Sequence, residues 1–206
     1  GIEPVETSVV QSADEAVAAA ERIGGPVALK VDDPALSHRS DAGAVALGLE
    51  GERAIREGFD RVVENARAAE GSIHRPDVLV QPMADSGVEA VVGLTREAGF
   101  GVVLTIGSGG VAVEHTADAA VLVPPVTGSD VERALTETGL GIALDAPRSA
   151  ERYDREAFVD IVTRLGALAS RHPGISEFEC NPVVVHETAC SIVDLLGRID
   201  RTDRTI

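Results

Sequence analysis

At 206 residues, 44% hydrophobic and 25% charged, the chain has enough material for one domain or two intimate lobes around an alanine-, valine- and leucine-rich core. A formal net charge of −16 argues against a nucleic-acid or anionic-membrane surface, and four phenylalanines with one tyrosine are too few for a base-stacking platform. Lys30 is the only lysine among 18 basic residues, and arginine in place of lysine on an acidic, small-residue chain points to adaptation to high salt.

Residues 2–10 read as extended. Ser12 then has the composition of a helix cap, with Glu15 three residues on, and Gly24-Gly25 stops the alanine-rich helix that follows. Val27–Val31 is a short apolar run of the kind that forms a buried strand. A loop of turn formers spans Asp32 to Gly43, and Ala44–Leu49 is a second strand. Between Glu52 and Ala69 the apolar residues Ile55, Phe59, Val62, Val63 and Ala66 recur with helical spacing. Val78–Met83 is a strand ending at a proline. The first eighty-odd residues therefore predict one α+β lobe, about 1–85.

The second lobe, about 86–206, opens with Val88–Leu94 and Gly101–Ile106 as neighbouring antiparallel strands. Gly107–Gly110 turns the chain, Val111–Glu114 leaves that turn, and Ala119–Val126 is extended. Helices are expected over Asp130–Thr138 and Glu156–Ser170, joined by a proline- and charge-containing connection. Glu177–Val185 and Ser191–Leu196 close the chain as a hairpin.

Several residues carry chemistry on their own account. Lys30 ends a buried strand, where a lysine is rarely placed without a task; an ammonium there either grips a phosphate as a point charge or snorkels to solvent. Strand alternation sets Glu177, Glu179 and Asn181 on one face, with Asp194 able to meet Asn181 from the returning strand. Such an oxygen-only group suits magnesium bridging phosphates, and equally describes a solvated acidic face. The glycines of 107–110 either cradle phosphate with their amides or permit a tight turn. Neither the Gly-Lys-Ser/Thr phosphate loop nor the dinucleotide fingerprint is present. His38 on its own reads as a loop histidine.

Taken in order, these features resemble the ATP-grasp domain of ADP-forming acyl-CoA synthetases. Within that group the chain is most similar to the separate β subunit of ADP-forming acetate–CoA ligase, a relative of the succinyl-CoA synthetase β chain. The most specific stretches are Ser37-His38-Arg39-Ser40-Asp41-Ala42-Gly43, Val80-Gln81-Pro82-Met83 with Gly87-Val88-Glu89, and Glu179-Cys180-Asn181-Pro182. The resemblance implies an ATP-grasp fold, two α+β lobes enclosing a nucleotide cleft. It implies that Lys30 holds the phosphates of ATP or ADP, that the backbone of Gln81, Pro82 and Met83 edges the adenine, and that Glu89 takes the ribose hydroxyls. Asn181 and Asp194, with Glu179 nearby, would hold Mg2+. His38 would receive and pass on a phosphoryl group, a role suited to a neutral imidazole.

The implied reaction converts acyl-CoA, ADP and phosphate to acid, CoA and ATP. Its CoA chemistry falls to a CoA-binding α subunit, with two of each chain expected and with acyl-CoA and phosphate bound mainly by that partner. The sequence departs from the family pattern at Arg39 and Ala44, where lysine and glycine are usual, and at Ala117 and Leu122, where cations are usual. Arg96 or the partner would then have to supply charge. These departures favour a rival, a non-catalytic ATP-grasp-like regulatory or scaffold subunit, whereas Lys30, Glu89, Asn181 and Asp194 favour the enzyme. A stand-alone carboxylate–amine ligase fits poorly, because no substrate-binding region is left over. With no membrane-length apolar run, no leader and only Cys180 and Cys190 as thiols, a cytoplasmic protein is expected, with no nucleic-acid or membrane partner.

Overall fold

The computed structural model describes residues 4–36, 39–71, 76–97, 99–110, 118–145 and 153–200. They form two compact units, one spanning Val5–Met83 and the other running from Ala84 with Pro4 added.

In the first unit, β1 (Ser8–Val10), α1 (Ala13–Ile23), β2 (Val27–Asp32), β3 (Val45–Leu49), α2 (Glu52–Ala69) and β4 (Asp77–Pro82) make an antiparallel sheet of order β1-β4-β2-β3 backed by two helices. Ser12 caps α1 by accepting from Glu15 N at 3.3 Å, while the Glu15 carboxylate takes Gln11 N at 2.8 Å. Gly24, at φ +73°, ends it in the left-handed conformation that glycine adopts without strain. The buried side of α1 is Ala16, Ala19 and Ala20, small enough for close packing. From α2, Ile55, Phe59, Val62 and Ala66 meet Val27, Leu29 and Val31 of β2 and Val78 and Val80 of β4 in one core. Each fully buried valine or isoleucine there contributes roughly 2 kcal/mol. Strand alternation puts Ala28, Lys30, Leu79 and Gln81 on the opposite, helix-free face of this sheet.

The second unit contains β5 (Val88–Glu97), β6 (Gly101–Ser108), β7 (Ala119–Leu122), α3 (Gly128–Leu135), α4 (Gly139–Asp145), α5 (Arg155–Arg171), β8 (Ile175–Val185), β9 (Cys190–Ile192) and β10 (Leu195–Ile199). Its sheet runs β10-β8-β5-β6-β7, with β9 also paired to β8. Ala90, Val92, Leu104, Ile106, Cys180 and Val183 pack against Phe158, Val162 and Leu165 of α5 and Val131 and Leu135 of α3. The other face carries Glu89, Gly93, Thr105 and Glu179 and again has no helix of this unit against it.

Two details differ from the sequence reading. The connection after α3 holds a seven-residue helix, α4, whose Leu140 and Leu144 are buried and whose first N–H donates to Asp118 Oδ2 at 2.6 Å. The closing hairpin is interrupted: β9 and β10 lie end to end along β8, separated by Val193 and Asp194. No helix among the described residues is long and apolar enough to cross a membrane.

Candidate functional site

The helix-free face of the second sheet gathers most of the carboxylates and amides singled out above. Glu89 stands near the start of β5, exposed, with its carbonyl accepting from Gly109 N at 2.8 Å. Gly110 follows at φ +66°, and a Cβ there would collide with the Glu89 carboxylate. Its N–H donates to Asn181 Oδ1 at 3.1 Å. The glycine turn is thus held between β5 and β8, and only glycine tolerates the approach. Because the amides of Gly109 and Gly110 are spent on Glu89 and Asn181, they do not form a phosphate cradle.

Asn181 and Pro182 together face the single residue Val91, since Ala90 pairs with Val183 and Val92 with Cys180. This bulge re-aims the Asn181 side chain. Its Nδ2 reaches Glu179 Oε1 at 3.4 Å, and its backbone N–H donates to Asp194 O at 3.1 Å. Leu195 N donates to Asp194 Oδ1 at 3.0 Å. Glu179 is exposed, with Gly93 opposite it on β5 and Leu196 opposite it on β10. Glu177 shares the face but pairs with Arg198 at 3.4 Å. Asn181, Asp194 and Glu179 are the hard-oxygen side chains at this place that could hold a divalent cation such as magnesium. No group of three His, Cys, Asp or Glu placed to hold a metal occurs among the described residues.

On the first sheet, Lys30 and Gln81 are each only 5% exposed. Gln81 Nε2 donates to Thr7 Oγ1 at 2.9 Å, and Gln81 Oε1 has no partner among the described residues. Met83 N donates to Pro26 O at 3.1 Å, so that backbone donor is engaged within the lobe. Thr7 carries no signal in the sequence; its role arises from β1–β4 register, in which Ser8 pairs with Val80. Arg39 pairs with Asp32 at 3.1 Å. His38 lies outside the described residues, as do Ser37, Glu114, His115 and Ala117.

Three charge arguments change with the packing. Leu122 is 7% exposed and faces the core beside Val126, so its apolar identity follows from burial and says nothing about a lost cation. Arg96 does not replace one: it donates to Ile175 O at 3.3 Å and Ala169 O at 3.4 Å, tying β5 to α5 and the start of β8. Burial, with Glu179 and Asp154 adding to it, pushes the thiols of Cys180 and Cys190 up to about 12. Both remain protonated at neutral pH and are not nucleophiles.

Residues 1–199 match the ATP-grasp domain family. ADP-forming acetate–CoA ligase I subunit β of Pyrococcus furiosus is 32% identical over 194 residues, covering 94% of this chain and 84% of that one. The chain belongs to the ATP-grasp family, in its ADP-forming acetate–CoA ligase β-subunit branch. ADP-forming acetate–CoA ligase I of Archaeoglobus fulgidus is 34% identical over 94% of this chain, which spans only 28% of that protein. Among solved structures, a dinucleotide-forming acetyl-coenzyme A synthetase 1 from Ca. Korarchaeum cryptofilum, in complex with coenzyme A, Ca-AMPCP and HgCl+, superposes with a TM-score of 0.90 at 31% identity. That match covers 96% of this chain and 86% of the other. The same synthetase has been solved with coenzyme A and Mg-AMPPCP, its phosphohistidine segment pointing towards the nucleotide binding site, and matches 95% of this chain and 85% of that one at 32% identity and a TM-score of 0.78. The ATP-grasp fold accounts for both helix-backed sheets described above.

Proposed function

We propose that this ATP-grasp chain is the nucleotide-binding β subunit of an ADP-forming acyl-CoA ligase acting on acetyl-CoA. With its partner it converts acyl-CoA, ADP and phosphate to acid, CoA and ATP. The observation that carries the reading is the helix-free face of the second sheet, where Glu89, the glycine turn, Asn181 and Glu179 form one bonded group with Asp194 opposite Asn181. In this reading Glu89 accepts from the ribose hydroxyls, and Asn181 and Asp194, with Glu179 nearby, hold Mg2+. Lys30 binds the phosphates, and the segment Gln81, Pro82, Met83 takes the adenine. Bound magnesium neutralises phosphate oxygens and aligns them for transfer. His38 accepts the phosphoryl group from the partner's side and delivers it to ADP.

A CoA-binding α subunit completes the enzyme, two copies of each chain assembling, and the complex works in a cytoplasm of high salt. Support for the partner comes from the β-subunit relative and from the longer ligases that the chain matches over only part of their length. The regulatory rival loses one of its supports, since Leu122 is a core residue.

The test is reconstitution with a CoA-binding chain and measurement of ATP formed from acetyl-CoA, ADP and phosphate. His38→Ala is expected to leave ADP binding within about 1 kcal/mol of wild type, and to abolish ATP formation. Near-normal turnover of that variant would show that phosphate passes by another route.

A further inference from the structure

Among the buried apolar residues Val62, Val63 and Ala66, helix α2 carries the half-buried Asn65. Asparagine is a weak helix former, because its short amide competes for backbone groups outside the helical pattern. Here the amide leaves the helix altogether, and Nδ2 donates to Gly43 O at 2.9 Å, at the end of the loop joining β2 to β3. The approach is close. Gly43 has φ +64°, and a Cβ built on it would lie 2.7 Å from Asn65 Nδ2, displacing the amide. That end of the loop is itself a closed turn. Gly43 N donates to Ser40 O at 3.0 Å and Ala44 N to Arg39 O at 2.9 Å, the paired bonds around a left-handed glycine that close a helical turn. Ala44 is fully buried, and its carbonyl accepts from Val31 N at 3.0 Å. The Arg39 side chain reaches Asp32, the last residue of β2, at 3.1 Å. Residues 39–44 are therefore one braced unit, fixed to β2 at Val31 and Asp32 and to α2 at Asn65.

We infer that Asn65 is a positioning residue for phosphoryl transfer, holding the 39–44 turn so that His38, which directly precedes Arg39, meets the terminal phosphate of the nucleotide. This rests on the relay role proposed for His38 above. When ATP forms, a terminal oxygen of ADP makes the new P–O bond as the N–P bond to the imidazole breaks. The electron pair of that bond returns to the ring nitrogen, and the second ring nitrogen keeps its proton. The displacement needs attacking oxygen, phosphorus and leaving nitrogen roughly in line, and misplacement by about 1 Å costs on the order of a hundredfold. A closed turn carries a shift at Gly43 through to Arg39, because the two bonds across it hold its ends together. Asn65 reaches this turn from the helix side of the sheet, whereas Lys30 lies on the opposite face. Loss of the amide therefore acts on the transfer and spares nucleotide binding.

Asn65→Leu and Asn65→Asp keep the size of the side chain and remove the donor. The test measures ATP formation by the reconstituted complex with ADP varied, together with calorimetric ADP affinity and melting of the same chains. In both variants kcat is expected to fall about tenfold to a hundredfold, with KM for ADP, ADP affinity and cooperative melting kept. Acid-labile labelling of the chain by Mg-ATP marked in its terminal phosphate should slow in parallel, which a merely structural residue would not cause while ADP still binds. If the new carboxylate of Asn65→Asp, set against the Gly43 carbonyl, lowers stability, Asn65→Leu carries the test. Wild-type turnover in both variants overturns the inference. So does a loss of turnover shared with ADP affinity or with cooperative melting in both, which makes Asn65 a structural residue. Turnover kept by His38→Ala overturns the relay reading itself, and the role of Asn65 with it.

Discussion

Lys30 illustrates how much one position in a strand can be asked to do. Val27, Leu29 and Val31 supply the core, while Ala28 and Lys30 point to the helix-free face, so the lysine lies outside that apolar core although it is itself buried. Lys30→Met keeps the length and apolar stem of the side chain and removes only the charge. Nucleotide affinity is expected to fall about tenfold or more, the worth of a charge-assisted hydrogen bond, with the cooperative fold retained. Calorimetry and melting on the two proteins decide it, and equal affinity would make Lys30 a structural residue. Asp194 is separable in the same way. Its Oδ1 accepts from Leu195 N, a bond that Asp194→Asn retains while losing the charge. The ratio of ADP affinities with and without Mg2+ should then shrink by about tenfold or more, as losses in a metal site typically do. If wild type binds ADP equally with and without the ion, the donor set is a solvated acidic surface.

Elements whose identity rests on local signals were legible in the sequence; those that rest on register were not. Helix α2 is visible from its apolar stripe alone, and Glu52–Arg56, a carboxylate four residues before a guanidinium at 2.9 Å, reinforces it. Helix α4 has two glycines in seven residues and exists because Leu140 and Leu144 find a core and Asp118 takes its first N–H. The bulge at Asn181 and the break at Val193–Asp194, like the Gly110–Asn181 bond and the Gln81–Thr7 bond, depend on which strands lie side by side. The cap of α3 carries a test with a pH signature. Thr127 and Asp130 form a reciprocal capping box, and hydrogen bonds from Thr127 hold the Asp130 carboxyl below the usual carboxylate range, with Arg133 adding to them. Thr127→Ala is expected to cost about 1 kcal/mol at neutral pH. A carboxyl whose folded pKa is depressed stabilises above its unfolded value and stops doing so as pH falls through the folded one. The stability gap between wild type and Asp130→Asn should accordingly be present at pH 7 and close below the usual carboxylate range. A gap independent of pH would mean that the charge is irrelevant to the cap.

For the molecule as a whole, two electrostatic effects oppose each other when salt is added. Ion pairs such as Arg56 with Asp14 at 2.6 Å and Arg155 with Glu132 at 2.8 Å link α1 to α2 and α5 to α3, and screening weakens them. Each is at least partly exposed, and pairs of that kind contribute only about 0–1 kcal/mol. Against them stand 34 acidic residues and 18 basic ones, a net −16 whose self-repulsion acts on every element. At molar salt the Debye length falls to about 3 Å, so repulsion between surface carboxylates is removed over nearly all separations. Many unpaired repulsions outweigh a few weak pairs, and the sign follows: the melting temperature should rise steadily from low to molar KCl. Chloride and sulfate salts of potassium at equal ionic strength separate charge screening from the strengthening of apolar burial that sulfate brings. A melting temperature flat or falling in KCl would show that the acidic surface serves solubility alone, and that arginine in place of lysine has no part in withstanding salt.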